Sequence, residues 1–377
     1  SRELNMKFKV KTSDFQKAIS SVEGVITVRE IKSILSNIKV EAEDGKVFLS
    51  ATDLEISIKT SVSADTLEPG MTSIPAKQLS NTFKTINFPE ALIAHNPDAE
   101  GTVSTIITDK KKKKDFKMNI NGIEGEEIKT ISKVDDSLVV DFPCFTISEM
   151  IKKTSYSVAL EDTRFVFNGL YVTSSEGKIS FVGTDGRRLA KIDRVIPNSL
   201  PFSKGVIIPH KAIKEIMKMI DSNESGKIGI VENQIYLKIG NVELLCKLID
   251  GNYPDYEAVI PKESKNSVRI NKDELQVALR QALIAAEEPS RQIRMTFSEN
   301  LLHINSSTPG STEVNVSIPV DYKGEETSIA FKGDYLADVI KSIDDPEIIM
   351  EFSSSNSPAV FKDPSDAQYI SVIMPMK

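Results

Sequence analysis

Apolar residues recur at helical spacing in three related stretches of the chain. In IPHKAIKEIMKMI (208–220), Ile213, Ile216, Met217 and Ile220 fall at i, i+3, i+4 and i+7. In FKGDYLADVIKSI (331–343), Leu336, Val339, Ile340 and Ile343 repeat that spacing, and in IPAKQLSNTFKTI (74–86) Leu79, Phe83 and Ile86 keep most of it. Each stretch predicts an amphipathic helix with one apolar stripe. A second helical set is DFQKAISSVEGVI (14–26), ISEMIKKTSYSVAL (147–160) and DELQVALRQALIAA (273–286), with Ser13, Ser148 and Asn271 as N-cap candidates. Between the helices the pattern changes to short β-rich runs bounded by turn residues. KVFLSAT, EISIKTSVS, TVSTIITD, DFKMNIN, KISFVGT, QIYLKIG, VELLCKLI, LLHINSS and EVNVSIPV all predict strands.

The order helix, strands, helix, strands therefore occurs three times, about 125 residues each, which is the mark of a repeated unit. It predicts an α+β fold of three like domains, 6–135, 136–262 and 263–377, each with helices gathered on one side of antiparallel sheet. One phrase occurs twice in near-identical form: KVFLSATDLEISIK (46–59) and, 132 residues later, KISFVGTDGRRLAK (178–191). The shared Thr-Asp reads as turn chemistry, with both side chains bonding nearby backbone. The unshared part, Gly186-Arg187-Arg188-Leu189 against Leu54-Glu55-Ile56-Ser57, requires a separate reason.

Composition narrows the function classes. A chain of 377 residues suggests two to four domains, and 40% hydrophobic with 27% charged residues is the balance of a soluble globular protein. No apolar run approaches the ~18 residues of a membrane span, and no secretory leader is visible; residues 1–5 before Met6 read as a cloning remnant. Cys144 and Cys246 lack disulfide-framework or zinc spacing, which points to a reducing cytoplasm. His95, His210 and His303 are far apart, every Gly-Lys pair is followed by Val or Ile where a phosphate loop needs Ser or Thr, and no GxGxxG follows a strand. No catalytic residue, metal or cofactor is expected. The net charge is −7, yet the six helical segments, with the last counted from Lys272, together carry +4. A helical face less acidic than the body suits a polyanion; it equally suits ordinary surface lysines. The basic run 110–114 reads as a solvated hairpin turn.

The opening MKFKV, the ATDLE and TDGRRLA turns, LIDGNYPDYEAVIP (248–261) and the terminal YISVIMPMK (369–377) resemble the bacterial DNA polymerase III beta subunit family, the replicative sliding clamps, over the whole span from Met6 to Lys377. The resemblance implies a head-to-tail homodimer closing as a ring of six like domains, with helices lining the hole and sheets outside. It implies a non-catalytic processivity factor that encircles and slides on duplex DNA in the bacterial cytoplasm, associated with the nucleoid and not with membrane. Its implied partners are the replicative polymerase alpha subunit, the clamp loader, and repair or ligation proteins carrying QLxLF-like peptides.

Carried over by position, the implied DNA contacts are Arg29, Lys77, Arg164, Lys211, Lys218 and Arg280; for each, an ordinary solvated side chain is the alternative. The implied peptide pocket takes Phe167, then Thr184, Gly186, Arg187, Arg188 and Leu189 from the turn. It adds Pro254 and Val259 from the YPDY segment, and Val372, Ile373, Met374, Pro375 and Met376 from the C-terminus. An apolar cleft with methionines suits several partners. Apolar residues beside helix and strand ends, Phe83, Phe116 and Met118 in the first domain and Leu283 and Ile284 in the third, are the expected dimer contacts. The chain departs from the family pattern in four places. Arg187 stands where histidine is usual, Ala258 where a basic residue can occur, Glu161, Phe165 and Val166 surround Arg164, and Lys377 is the last residue. Two rival classes stand beside this reading: an enzyme using Asp185 and Arg188, and a monomeric peptide-binding hub.

Overall fold

The alternation of helix and strands predicted from the sequence is observed three times over. The computed structural model describes residues 5–27, 34–97, 103–108, 116–122, 128–202, 204–220 and 224–377. The first run is β1 (Met6–Lys11), α1 (Thr12–Val22), β2 (Asn37–Glu43), β3 (Lys46–Thr52), β4 (Ile56–Ser63), β5 (Asp65–Glu68), β6 (Gly70–Pro75), α2 (Ala76–Thr85), β7 (Glu90–Pro97), β8 (Val103–Thr108) and β9 (Lys117–Gly122). The second is β10 (Val139–Pro143), α3 (Cys144–Thr154), β11 (Gly169–Ser175), β12 (Lys178–Thr184), β13 (Arg188–Val195), β14 (Val206–Pro209), α4 (His210–Met219), β15 (Ser225–Val231), β16 (Gln234–Ile239) and β17 (Val242–Lys247). The third is β18 (Asn266–Asn271), α5 (Lys272–Ala285), β19 (Gln292–Ser298), β20 (Leu301–Thr308), β21 (Thr312–Pro319), β22 (Thr327–Lys332), α6 (Gly333–Ser342), β23 (Glu347–Phe352), β24 (Ala359–Asp363) and β25 (Asp366–Ile373). Apart from the short β5, each run reads strand, helix, four strands, helix, three strands.

The helical stripes bury as their spacing requires. Leu79 and Phe83 of α2, Ile213 and Ile216 of α4, and Leu336, Val339 and Ile340 of α6 are all buried. Two expected caps are corrected. Ser13 lies inside the first turn of α1, and Ser148 lies inside α3, whose stripe begins earlier with Cys144, Ile147 and Ile151 at i, i+3 and i+7. Asn271 does cap α5, its side chain accepting from the Glu274 amide at 2.9 Å.

The strands form four antiparallel sheets in two compact units. Unit 1, residues 1–145 with 211–248, holds a five-stranded sheet, β5-β1-β7-β8-β9, and an eight-stranded sheet, β10-β15-β16-β17-β4-β3-β2-β6. Unit 2, residues 146–210 with 249–377, holds an eight-stranded sheet, β14-β11-β12-β13-β25-β24-β23-β18, and a four-stranded sheet, β21-β20-β19-β22. The units cut across the three repeats for one reason: each eight-stranded sheet is two four-stranded halves from successive repeats, joined edge to edge. The joint in unit 1 is β4 to β17, with Ile56 opposite Cys246; the joint in unit 2 is β13 to β25, with Arg188 opposite Ile373. In unit 1 the aromatic core runs from Phe8 through Phe15 to Phe83, at centroid spacings of 5.9 and 4.8 Å. In unit 2, Phe297 stacks on Phe352 at 4.5 Å.

No helix among the described residues is long and apolar enough to cross a membrane. Both cysteines are buried, and burial pushes the Cys246 thiol up to about 12. A raised thiol pKa leaves almost no reactive thiolate near neutrality. At pH 8 the folded protein should therefore leave a chromogenic disulfide reagent essentially unconsumed over minutes, and should titrate two thiols per chain in urea. Rapid uptake by the folded chain would contradict this burial.

Candidate functional site

The twice-written turn folds twice in the same way. In the first copy the Thr52 hydroxyl donates to the Ile56 carbonyl (2.9 Å) and accepts from the Leu54 amide (3.0 Å), while Asp53 Oδ1 accepts from the amides of Glu55 (2.9 Å) and Ile56 (2.7 Å). In the second, Thr184 donates to the Arg188 carbonyl (2.6 Å) and accepts from Gly186 (3.1 Å), and Asp185 Oδ1 accepts from Arg187 (2.9 Å) and Arg188 (3.0 Å). Thr-Asp thus supplies the turn, as expected. The third residue is left-handed in both copies, with φ of 78° at Leu54 and 87° at Gly186.

What differs is the surface built on each turn. In unit 2, Leu189 stands opposite Val372 across the β13–β25 joint and packs with Val182 and Val360 in one buried cluster. Tyr253, Tyr256 and Ile260 pack against that cluster, so the TDGRRLA turn, the YPDY segment and the C-terminal strand do come together. Tyr171 and Tyr253 stack at 4.4 Å with Tyr256 edge-on at 6.3 Å, which stiffens the wall. Val259 and Met374 are exposed at 51% and 41%, leaving large apolar side chains open to a ligand. The chain end is pinned rather than loose: the Met374 amide donates to the Arg187 carbonyl at 2.9 Å, and the Met376 amide to the Ala330 carbonyl at 2.8 Å.

Charge rims this apolar ground. Arg188 donates to Asp338 at 2.6 Å and to Asp185 at 3.2 Å, and its guanidinium lies 4.2 Å from the Tyr335 ring. Burial raises the Tyr335 phenol above its ordinary value despite the neighbouring arginines. Arg164 makes a two-pronged pair with Asp162 at 2.9 and 2.8 Å and covers the Phe167 ring at 4.5 Å; the bond from Arg164 holds the Asp162 carboxyl down at about 2. Phe167 is accordingly buried beneath it, while Pro254 and Arg187 are exposed.

The matching joint in unit 1 has the same backbone and different chemistry. There the Lys247 amide donates to the Glu55 carbonyl at 3.1 Å, just as Met374 does to Arg187. By register, the floor positions Val182, Leu189, Val372 and Val360 correspond to Ser50, Ser57, Leu245 and Tyr236. Two serines and a tyrosine whose hydroxyl donates to Glu243 at 2.6 Å offer no comparable apolar floor. The unshared residues therefore give the second joint an apolar cluster where the first has serines and a bonded tyrosine.

Of the expected DNA contacts, Arg29 lies outside the described residues, as does the basic run 110–114. Lys77 on α2 and Arg280 on α5 are exposed. Arg164, Lys211 and Lys218 are exposed but already paired: with Asp162, with Asp53 (3.1 Å) and Glu55, and with Glu215 (3.0 Å). The cations are open to solvent, while the Asp162, Asp53 and Glu215 side chains are largely covered, at 21%, 16% and 9% exposed. Among the dimer candidates one is corrected. Phe83 is 1% exposed and packed on Phe15, so its side chain is spent in its own core. Phe116, Met118 and Leu283 are half-buried, and Ile284 is 79% exposed. Sequence alone does not reveal a groove of about 390 Å³ between α5 and β21, where Val277, Ala278, Val316 and Ile318 converge. Nor does it reveal Asp338 and Tyr335, because nothing local marks a partner so distant in sequence as the 150 residues between Arg188 and Asp338, whereas Asp162, two residues from Arg164, is within reach of a local reading.

Comparison with known proteins gives three matches along the chain. Profiles of the N-terminal, central and C-terminal domains of the DNA polymerase III beta subunit match residues 6–132, 142–255 and 257–377. The beta sliding clamp of Escherichia coli K12 is 29% identical over 375 residues, covering 99% of this chain and 100% of the relative. That of Chlamydia pneumoniae is 28% identical over 372 residues, covering 99% of each. Among solved structures, a Bacillus subtilis DNA polymerase sliding clamp superposes with a TM-score of 0.90 at 26% identity, covering 99% of both chains. A Pseudomonas aeruginosa sliding clamp bound to griselimycin gives 0.88 at 26%, covering 99% of this chain and 100% of that one.

The two turns make a matched test of backbone strain. A Cβ at Gly186 would meet the Arg164 guanidinium at 3.0 Å, on a backbone at φ 87°. Gly186→Ala should cost ~1–2 kcal/mol in urea unfolding, whereas Leu54→Gly, which relaxes a left-handed leucine 68% exposed, should stay within ~1 kcal/mol of the parent. A Gly186→Ala chain as stable as the parent would show that this geometry carries no such cost.

Proposed function

The chain belongs to the DNA polymerase III beta subunit family, and from that premise we propose that it is a sliding clamp: a non-catalytic processivity factor that encircles duplex DNA in the bacterial cytoplasm, associated with the nucleoid. Its three domains are taken as 6–135, 136–262 and 263–377. It tethers the replicative polymerase alpha subunit, the clamp loader, and repair or ligation proteins through a peptide pocket on the β13–β25 joint.

One observation carries the ring. Within the chain, the half-sheet edge β4 joins β17 and the equivalent edge β13 joins β25. The next pair in this series is β21 with β9, and among the described strands each is an edge of its sheet. An exposed edge is a ready template for another strand. Pairing β21 of one copy with β9 of a second, twice over, completes the series head to tail and leaves neither edge open. The exposed Ile284 and the groove beside β21 supply apolar area at that contact, with Leu283, Phe116 and Met118 beside it.

The pocket reading rests on the apolar cluster of Val182, Leu189, Val360 and Val372 with an exposed Met374 beside it. Branched and aromatic side chains of a QLxLF-like peptide suit such a floor, and an arginine rim suits acidic neighbours. Contact with DNA requires only weak phosphate interactions without base readout, for which exposed Lys77 and Arg280, with Lys211, Lys218, Arg164 and Arg29, are the candidates.

Two experiments test this. By light scattering at micromolar concentration the protein should have twice the 41.6 kDa of one chain. Once loaded by its loader and ATP on nicked circular DNA, it should survive a rise in salt yet leave within minutes when the circle is cut. A monomer, or equal retention on the circle and on the unblocked linear form, would rule out the ring. For the pocket, deletion of residues 374–377 should abolish binding of a QLxLF peptide and leave the mass unchanged. Undiminished peptide affinity after the deletion would put the site elsewhere.

A further inference from the structure

Strand β25 has two faces with opposite chemistry. Ile370 and Val372 face the apolar cluster beneath the pocket, while Tyr369 and Ser371, only 2% and 1% exposed, face the other way. On that second face the Tyr156 hydroxyl lies 2.7 Å from the Tyr369 hydroxyl and 2.5 Å from Ser371 Oγ. Tyr369 in turn reaches the Lys153 carbonyl at 2.7 Å and Ser342 Oγ at 2.8 Å. A hydroxyl cluster thus nails the strand from below to the turn that follows α3 and to the end of α6. Tyr156 also touches the rim, its ring lying 5.8 Å from the Arg188 guanidinium.

We propose that Tyr156 is a positioning residue for the pocket: its buried hydroxyl, bonded to Tyr369 and Ser371, sets where β25 carries Val372 and Met374. This rests on the pocket reading above. An apolar contact in place of the cluster would hold the strand by area alone and tolerate small shifts, whereas buried hydrogen bonds admit one register and one depth. Burial also raises the Tyr156 phenol above its ordinary value, so it stays a neutral donor across the neutral range.

The test uses the full-length protein and a QLxLF peptide with alanine at x. Tyr156→Phe keeps the ring and removes the hydroxyl; it should weaken the peptide about three- to tenfold, the range of one buried hydrogen bond. It should also shift the methyl NMR signals of Val372 and Val360 on the far face. Ser371→Ala should act in the same direction. Tyr236→Phe, which removes a hydroxyl bonded to Glu243 in unit 1, is the control and should do neither. Unchanged affinity and methyl signals in Tyr156→Phe, with peptide bound normally by the parent, would overturn the positioning role and leave the pocket standing. An equal loss in Tyr236→Phe would also overturn it, because general destabilisation would then explain both. Failure of the parent itself to bind the peptide would instead remove the pocket reading.

Discussion

Every half-sheet in this protein ends in an edge whose backbone groups need partners, and that requirement organises the rest. Each half-sheet has two edges, and the long one, the eight-residue β4, β13 or β21, would invite foreign pairing if it stood open. Two edges are satisfied by the next repeat in the same chain, at β4–β17 and at β13–β25. Compact units consequently gather halves of successive repeats rather than whole repeats. The same requirement, applied to β9 and β21, is the physical argument for a second copy. On this reading dimerisation continues the internal pattern and is not a separate invention.

A joint of this kind also makes a site. Where two half-sheets meet edge to edge, a turn from one and the outgoing strand of the other lie side by side, and the amide after or at the end of the strand bonds the turn: Lys247 to Glu55 in one case, Met374 to Arg187 in the other. The backbone is shared, so the side chains decide what the joint does. Serines and a bonded tyrosine line the first joint, while valines and leucine give the second the apolar cluster on which the proposed pocket rests. At the second joint, Met374 and Met376 are held beside the turn by backbone bonds to the Arg187 and Ala330 carbonyls.

Much of this is legible in the sequence because it depends on local pattern. Helical stripes, strand alternation and the Thr-Asp turn are set by residues within one turn or one pleat of each other, and all three appear in the structure, although α1 and α3 end at Val22 and Thr154, short of the residues 26 and 160 that the pattern predicts. Helix starts are less legible: Ser13 and Ser148 have good capping chemistry, but the apolar stripe runs past them and wins. Phe83 reads as an interface residue because a helix end is often exposed; its position in the stripe, against Phe15, is the better guide. The pairs that shape the site, Arg188 with Asp338 and Tyr156 with Tyr369, join residues 150 and 213 positions apart. Charge and hydroxyl content alone do not say which of many such residues will meet.

On the proposed clamp reading, the same pairing bears on how an acidic protein would hold DNA without gripping it. Lys211, Lys218 and Arg164 each rest against a carboxylate, so their cationic ends are held in place yet partly neutralised. On the proposed reading, a phosphate approaching one of them would compete with a carboxylate already in place, which lowers its net gain. Strong unpaired cations would bind each phosphate well and make every step along the duplex a dissociation. Weak, exchangeable contacts flatten that barrier, and they are sufficient only if something other than affinity prevents escape. The proposed closure through the sheet edges would meet that need, and the modest charge of the helices and the edge strands β9 and β21 would then belong to one physical design.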